Sequence, residues 1–284
     1  MNKIEKCMFT ILRIALPLAS LLIIPITPFF LLQTEWTELI LEILLNNEKK
    51  IELATSILTK VNLNISFLVS VLLFIILVNF FQKRNETKIF DSNGKIYYDY
   101  WYVIFWLSAK ILGYGKVQLA GIPIAMQHKL VLRSTFESIM TDMWENHYDE
   151  IPNSEELQVK LTETRMDLQS KAINLIIADT FDIKEEQLAV TYRNNPTIKV
   201  CSPMISTQRR YKNTHLVQKV REAVQVCMNS EKDVIFVFST ANPLNNLNII
   251  TSSFRRFGRF QDKKIHVVQL NQNTKEYTKA YRII

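Results

Sequence analysis

The chain has 284 residues, 34 of them basic and 27 acidic, for a formal net charge of +7, and 48% of its side chains are hydrophobic. That apolar fraction excludes a disordered tail. Only five glycines are present, where average usage near 7% predicts about twenty, and Gly94, Gly113, Gly115, Gly121 and Gly258 build neither G-x-G-x-x-G nor G-x-x-x-x-G-K-[ST], so a glycine-rich dinucleotide loop and a P-loop are both ruled out.

Two segments are suited to a bilayer. Ile14 to Thr34 is a run of 21 residues without a charge and Val61 to Gln82 one of 22, each about the ~20 needed to cross ~30 Å of hydrocarbon as helix. Pro17, Pro25 and Pro28 interrupt the backbone ladder of the first and predict kinks. Its basic flank, Lys3, Lys6 and Arg13, also fits a signal peptide, but the apolar run is longer than such a region and no clear A-x-A site follows. Six basic residues flank the pair on the outside (Lys3, Lys6, Arg13, Lys83, Arg84, Lys88) against three in the loop (Lys49, Lys50, Lys60). Basic residues resist translocation, so both termini are expected in the cytoplasm. Within the loop, Glu35, Glu38 and Glu42 at helical spacing, with Leu39, Ile40, Ile43 and Leu44 on other faces, predict a surface-lying amphipathic helix.

Residues 83–172 read as a membrane-proximal region. Lys88 to Tyr98 predicts a hairpin around Asp91-Ser92-Asn93-Gly94. The block Tyr97, Tyr98, Tyr100, Trp101, Tyr102, Phe105 and Trp106 has the amphipathic rings favoured at headgroup depth. Trp101 to Leu112 reads as an interfacial or buried helix, with helices also expected over Leu130–Glu145 and Glu155–Leu168.

The last third, 173–284, has the clearest pattern. Asn174–Ala178, Thr197–Cys201, Val234–Ser239 and Ile265–Leu270 are short apolar runs suited to buried parallel strands. Between them, Thr214–Met228 carries Val217, Val220, Val224 and Cys227 on one stripe, and Leu244–Phe257 follows Pro243 and stops near Gly258. Alternating strand and helix predicts a Rossmann-like α/β sheet, whose ligands bind beyond the carboxyl ends of the strands. At that end of Val234–Ser239 lies Ser239-Thr240-Ala241-Asn242-Pro243-Leu244-Asn245-Asn246, a helix start able to hold a phosphate, a base edge or a ribose. The same residue types also serve as plain helix caps.

Charge is concentrated in the same region. Residues 1–82 balance, 83–198 carry net −3, and 199–284 carry 15 basic against 5 acidic residues. The basic clusters include Arg209-Arg210-Tyr211-Lys212, Arg255-Arg256, Arg259 and Lys263-Lys264, an anion-attracting surface that serves a specific ligand or a solvated, membrane-facing side.

The tail Val234-Ile235-Phe236-Val237-Phe238, Pro243, Phe257-Gly258-Arg259, Ile265-His266-Val267-Val268-Gln269-Leu270-Asn271, Tyr277 and Ala280-Tyr281-Arg282-Ile283 resembles the C-terminal portion of SAVED domains. It covers about fifty residues. The resemblance implies a SAVED/CARF-like sensor lobe that binds cyclic oligonucleotides in bacterial anti-phage signalling (CBASS), a family of which some members carry two N-terminal spans.

The expected protein is therefore a membrane-anchored effector: a two-helix transmembrane unit (1–82), a membrane-proximal region (83–172) and a Rossmann-like sensor lobe (173–284). The ligand-binding residues expected are Ser239, Thr240, Asn242 and Asn245 of the helix start, Arg209, Arg210, Lys212 and Arg255 of the basic clusters, and Tyr277. Partners implied are the lipid bilayer, a nucleotide second messenger, further copies of the chain and, functionally, a nucleotide cyclase; no cofactor or metal is expected. Two other classes remain. A membrane-anchored nucleotide or NAD hydrolase would use Asp142, Glu145, His147, Asp149 and Glu150; a basic anchor would hold anionic lipid or nucleic acid. Cys7, Cys201 and Cys227 are too few and too dispersed for a disulfide framework, which suits a reducing compartment.

Overall fold

Residues 3–31, 49–53, 56, 65–94, 96–141, 148–151, 159–164, 170–205, 210–255, 263–271 and 273–284 are described by a computed structural model. The chain divides into two units, Met1–Lys88 with Val103–Gly115, and Ile89–Tyr102 with Lys116–Ile284. The amphipathic helix expected over Glu35–Leu44 lies outside the described residues.

In the first unit, helix α1 (Lys3–Thr10) runs through one wide π turn, Ile11–Ala15, into α2 (Leu16–Leu31), and the second apolar segment forms α3 (Ile65–Asn85). Pro25 and Pro28 lie inside α2. Pro28 has no N–H to offer the carbonyl of Ile24 four residues back, and the Thr27 hydroxyl donates to that carbonyl at 2.7 Å instead. This local bond satisfies a carbonyl that the proline leaves without its helical donor. Two stretches, Ile4–Pro28 and Ser66–Asn85, are long and apolar enough to cross a bilayer, and only 11% of each apolar window is buried. A core helix of a water-soluble domain would be mostly buried; here Leu22, Ile23, Phe30, Leu72 and Ile76 are all exposed.

Helix α4 (Tyr102–Lys110) then ends in a tight turn against the end of α3. Asn85 Nδ2 donates to the Leu112 carbonyl at 2.8 Å and Gln82 Nε2 to that of Lys110 at 3.2 Å. Gly113 adopts φ +75°, and a Cβ there would sit 2.3 Å from the Gln82 Cα. Only glycine meets both conditions.

The second unit is built on a six-stranded sheet in the order β10-β9-β8-β5-β6-β4, formed by β4 (Lys160–Thr164), β5 (Ala172–Ala178), β6 (Thr197–Cys201), β8 (Val234–Ser239), β9 (Lys264–Leu270) and β10 (Tyr277–Arg282). The four central strands are parallel and the two edges antiparallel. Residues alternate between two apolar layers. Ile173, Leu175 and Ile177 of β5 join Ile235, Val237, Ile265 and Val267 under the helix Thr214–Asn229, which contributes Leu216, Val220, Ala223, Val224 and Cys227. On the other face, Ile176 and Phe238 pack with Ile183, Leu188, Tyr192, Val268 and Tyr277. With both faces covered, the strands need apolar residues at nearly every position, the signal read in the sequence.

Three local expectations are corrected in this unit. Asp91–Gly94 turns, but its flanks do not pair as a hairpin: Phe90 N–H donates to the Lys116 carbonyl and Tyr98 N–H to that of Gly121. The helix placed at Leu130–Glu145 lies earlier, at Ile124–Leu132; Ser134 then takes a positive φ, and Ser138–Met140 (β2) pairs in parallel with Lys116–Gln118 (β1). The described part of Glu155–Leu168 is the exposed edge strand β4, antiparallel to β6.

Candidate functional site

Read outward from the first parallel strand in chain order, β5, the sheet adds β6 on one side and β8 and β9 on the other. The chain thus reverses its direction of winding between β5 and β8. At such a switch point the connections leaving the two strands part to opposite faces, and a crevice opens beyond their carboxyl ends. A cavity of about 660 Å³ lies there, lined by Thr180 and Phe181 after β5, Ser239 to Pro243 after β8, and Val268, Gln269 and Leu270 at the end of β9, together with Tyr97, Ile122, Ile124, Arg210 and Tyr277. Its size is within the ~300–1,000 Å³ of small-molecule sites.

The rim is braced by a buried polar network centred on Asp179. One carboxylate oxygen of Asp179 accepts from Asn242 N–H (3.1 Å), Asn242 Nδ2 (3.1 Å) and Asn245 Nδ2 (2.9 Å). Burial raises its pKa, while these bonds and one from Ser202 pull it back. Asn242 caps the helix Pro243–Ile249, its Oδ1 accepting from Asn245 N–H at 2.9 Å. Both asparagines also donate to the Tyr211 carbonyl, at 2.8 and 2.9 Å. Thr240 joins the two strand ends: its Oγ1 accepts from Asp179 N–H at 3.0 Å and donates to the Phe181 carbonyl at 2.8 Å. Ser239 Oγ accepts from Ala241 N–H at 3.1 Å.

The residues expected from the sequence separate accordingly. Ser239, Thr240, Asn242, Arg210 and Tyr277 meet on the cavity wall. Asn245 does not line it; it is fully buried and holds Asp179 and the Tyr211 backbone. Lys212 is exposed on the two-residue strand Tyr211–Lys212 (β7), paired with Asp149–Glu150 (β3). Arg255 is exposed at the end of the last described helical turn, donating to Ser134 Oγ at 3.2 Å. Arg209 lies outside the described residues, as do Asp142, Glu145 and His147 of the acidic cluster.

Several lining groups were not anticipated. Thr180, Phe181 and Gln269 stand at strand ends and were reachable by the carboxyl-end rule; Tyr97, Ile122 and Ile124 come from the region of weak pattern and were not. Gln269 is the one amide side chain on the wall contributed by β9, and its Oε1 is buried with no hydrogen-bond partner among the described residues. Tyr277 is packed edge-on against Phe238, with ring centroids 5.5 Å apart, and burial raises its phenol pKa, keeping it a neutral donor. The exposed Arg210 adds positive charge at the wall.

No curated protein matches the chain. Two solved structures of the SAVED/CARF-domain containing Cap4 receptor of Acinetobacter baumannii are similar to it. The one with the cyclic trinucleotide 2'3'3'-cAAA matches at 9% identity and TM-score 0.42, over 59% of this chain and 38% of the receptor. The one with 3'3'3'-cAAA matches at 9% and 0.42, over 64% and 41%. The chain thus spans about two fifths of the length of these receptors. Over residues 1–284 the chain matches the SMODS- and ubiquitin system-associated 2TM effector domain, and it belongs to that family.

Proposed function

We propose that this effector is anchored in the bacterial inner membrane by two spans, with both termini cytoplasmic, and that its Rossmann-like lobe binds a cyclic oligonucleotide second messenger in the switch-point cavity. Binding reorganises or oligomerises the spans until the membrane leaks, as part of antiviral defence. No cofactor is invoked, and the site acts by binding, not catalysis. Coupling requires only that the messenger bind one assembly state better than another.

The observation that carries the reading is the 660 Å³ cavity at the switch point, whose wall brings Arg210 together with Ser239, Thr240, Asn242, Gln269 and Tyr277. A nucleotide supplies complements to this wall, a base and ribose for its polar side chains and a phosphate for the guanidinium. The sequence resemblance to SAVED domains supports the same ligand class, and the family is by its description an effector with two membrane segments.

The test is a panel of cyclic di- and trinucleotides added to the detergent-solubilised full-length protein, read by melting temperature and by oligomeric size. At least one member is expected to raise the melting temperature. Gln269→Ala, which removes a polar side chain from the wall, should weaken that ligand roughly tenfold, the loss of one hydrogen bond at about 1–3 kcal/mol. No response to any cyclic nucleotide sinks the receptor reading.

A further inference from the structure

A second cleft, of about 410 Å³, lies wholly within the second unit. Its wall joins Asp99, Tyr100, Trp101 and Tyr102 to the start of the helix Ile124–Leu132 and to Lys279 and Tyr281 of β10. Two ammonium groups converge on one ring there: Lys129 Nζ is 5.9 Å and Lys279 Nζ 5.3 Å from the Tyr281 centroid. Neither lysine has a carboxylate partner among the described residues. Arg133 adds a third cation nearby, its guanidinium 4.7 Å from the Tyr102 ring. Burial and the Arg133 charge lower the Lys129 pKa, the mark of a cation short of counter-charge.

The two lysines line one cleft with a single acidic residue, Asp99, on its wall, so an anion bound there would add counter-charge for both. The aromatic side of the cleft opens outward, with Trp101 83% exposed. Trp101 also stands two residues before Val103, where the chain passes into the unit that contains the apolar helices. Amphipathic rings near a membrane segment favour headgroup depth, and lysines there select anionic lipid.

We propose that this cleft is a phosphate site, in which Lys129 and Lys279 bind a phosphodiester and Trp101 covers its apolar substituent. The chemistry is that of an anionic phospholipid headgroup or of a soluble glycerol phosphodiester. It does not depend on the messenger cavity, whose Gln269 and Arg210 are not among the residues of this cleft.

Native mass spectrometry of the detergent-solubilised full-length protein tests it. Phosphatidylglycerol, phosphatidylcholine and glycerophosphoglycerol are titrated separately. Retention of phosphatidylglycerol at least fivefold over phosphatidylcholine, lost in Lys129→Ala/Lys279→Ala and kept in the double arginine variant, supports a lipid site. The same pattern for glycerophosphoglycerol assigns a soluble ligand to the same cleft. Lys279→Glu, a change at an exposed position, is the variant to use if the double alanine fails to fold, and it should lower retention by a comparable factor. Equal adducts of both lipids, or adducts unchanged by these substitutions, overturn the proposal. The cyclic nucleotide melting shift of the same variants should be unchanged, so failure here and failure of the messenger reading are separable.

Discussion

Asp91 is the residue whose chemistry is least expected from its neighbours in sequence. Its position in a turn tetrad suggests a solvated cap, yet it is fully buried. One carboxyl oxygen accepts from Gln118 N–H at 2.8 Å and the other has no partner among the described residues. Burial pushes its pKa up to about 7, so the folded state favours the protonated acid. Stability from this group is complete below about pH 4, the unfolded range, and is lost as pH rises through about 7. Above that, the penalty is on the order of 4 kcal/mol. Asp91→Asn keeps the acceptor for Gln118 and removes the charge, so the variant should melt higher than wild type at pH 8 and about equally at pH 4.5. His128 has the opposite slope: fully buried, its pKa is lowered to about 4, and it loses stability as pH falls through the range from 6.5 to 4. It is common to both proteins, so the difference between their melting curves isolates Asp91. Equal curves at pH 8 would refute the buried-acid assignment. The site residues teach the same lesson. Asn245 and Ser239 are alike in sequence as polar residues at a helix start, but one braces Asp179 and the other lines a cavity. Only the direction of each side chain separates them.

At the scale of elements, the outcome depended on whether a segment carries its own pattern. The parallel strands did, because two covered faces demand continuous apolar residues, and Thr197–Cys201 and Val234–Ser239 are found where the sequence places them. The helix Thr214–Asn229 did too, through its apolar stripe and the Asn213 cap, whose Oδ1 accepts from Leu216 N–H at 2.8 Å. β4 did not. All five of its residues are exposed, so no buried face imposes a period, and its strand state comes from the open edge of β6. The turn after α4 is a case where one residue holds an element in place. Gly113→Ala adds both a strained φ and a Cβ 2.3 Å from the Gln82 Cα. We expect it to destabilise the protein by about 2 kcal/mol or more. A melting temperature in detergent within a degree of wild type would show that the turn yields freely.

At the scale of the whole molecule, the proposed function joins a receptor lobe to two apolar helices, and that coupling is open to a direct test. In liposomes loaded with a self-quenching dye, the reconstituted protein should release dye when the active cyclic nucleotide is added outside vesicles that expose the lobe. Gln269→Ala should shift that response to roughly tenfold higher nucleotide, in line with its weakened binding. Release that is the same with and without nucleotide would separate the membrane activity from the messenger. The sequence by itself determined what depends on local composition: two stretches long enough to span, strand positions with both faces buried, and a basic final third. Tertiary structure alone decided strand order, and hence the switch point between β5 and β8 where the cavity opens. It alone turned Asp179, Asn242 and Asn245 into a brace, and brought Tyr97 and Gln269, distant along the chain, to one wall. The reason is physical. Hydropathy and periodicity are sums over neighbours in the chain, whereas a pocket is made of side chains whose adjacency exists only once the sheet is wound.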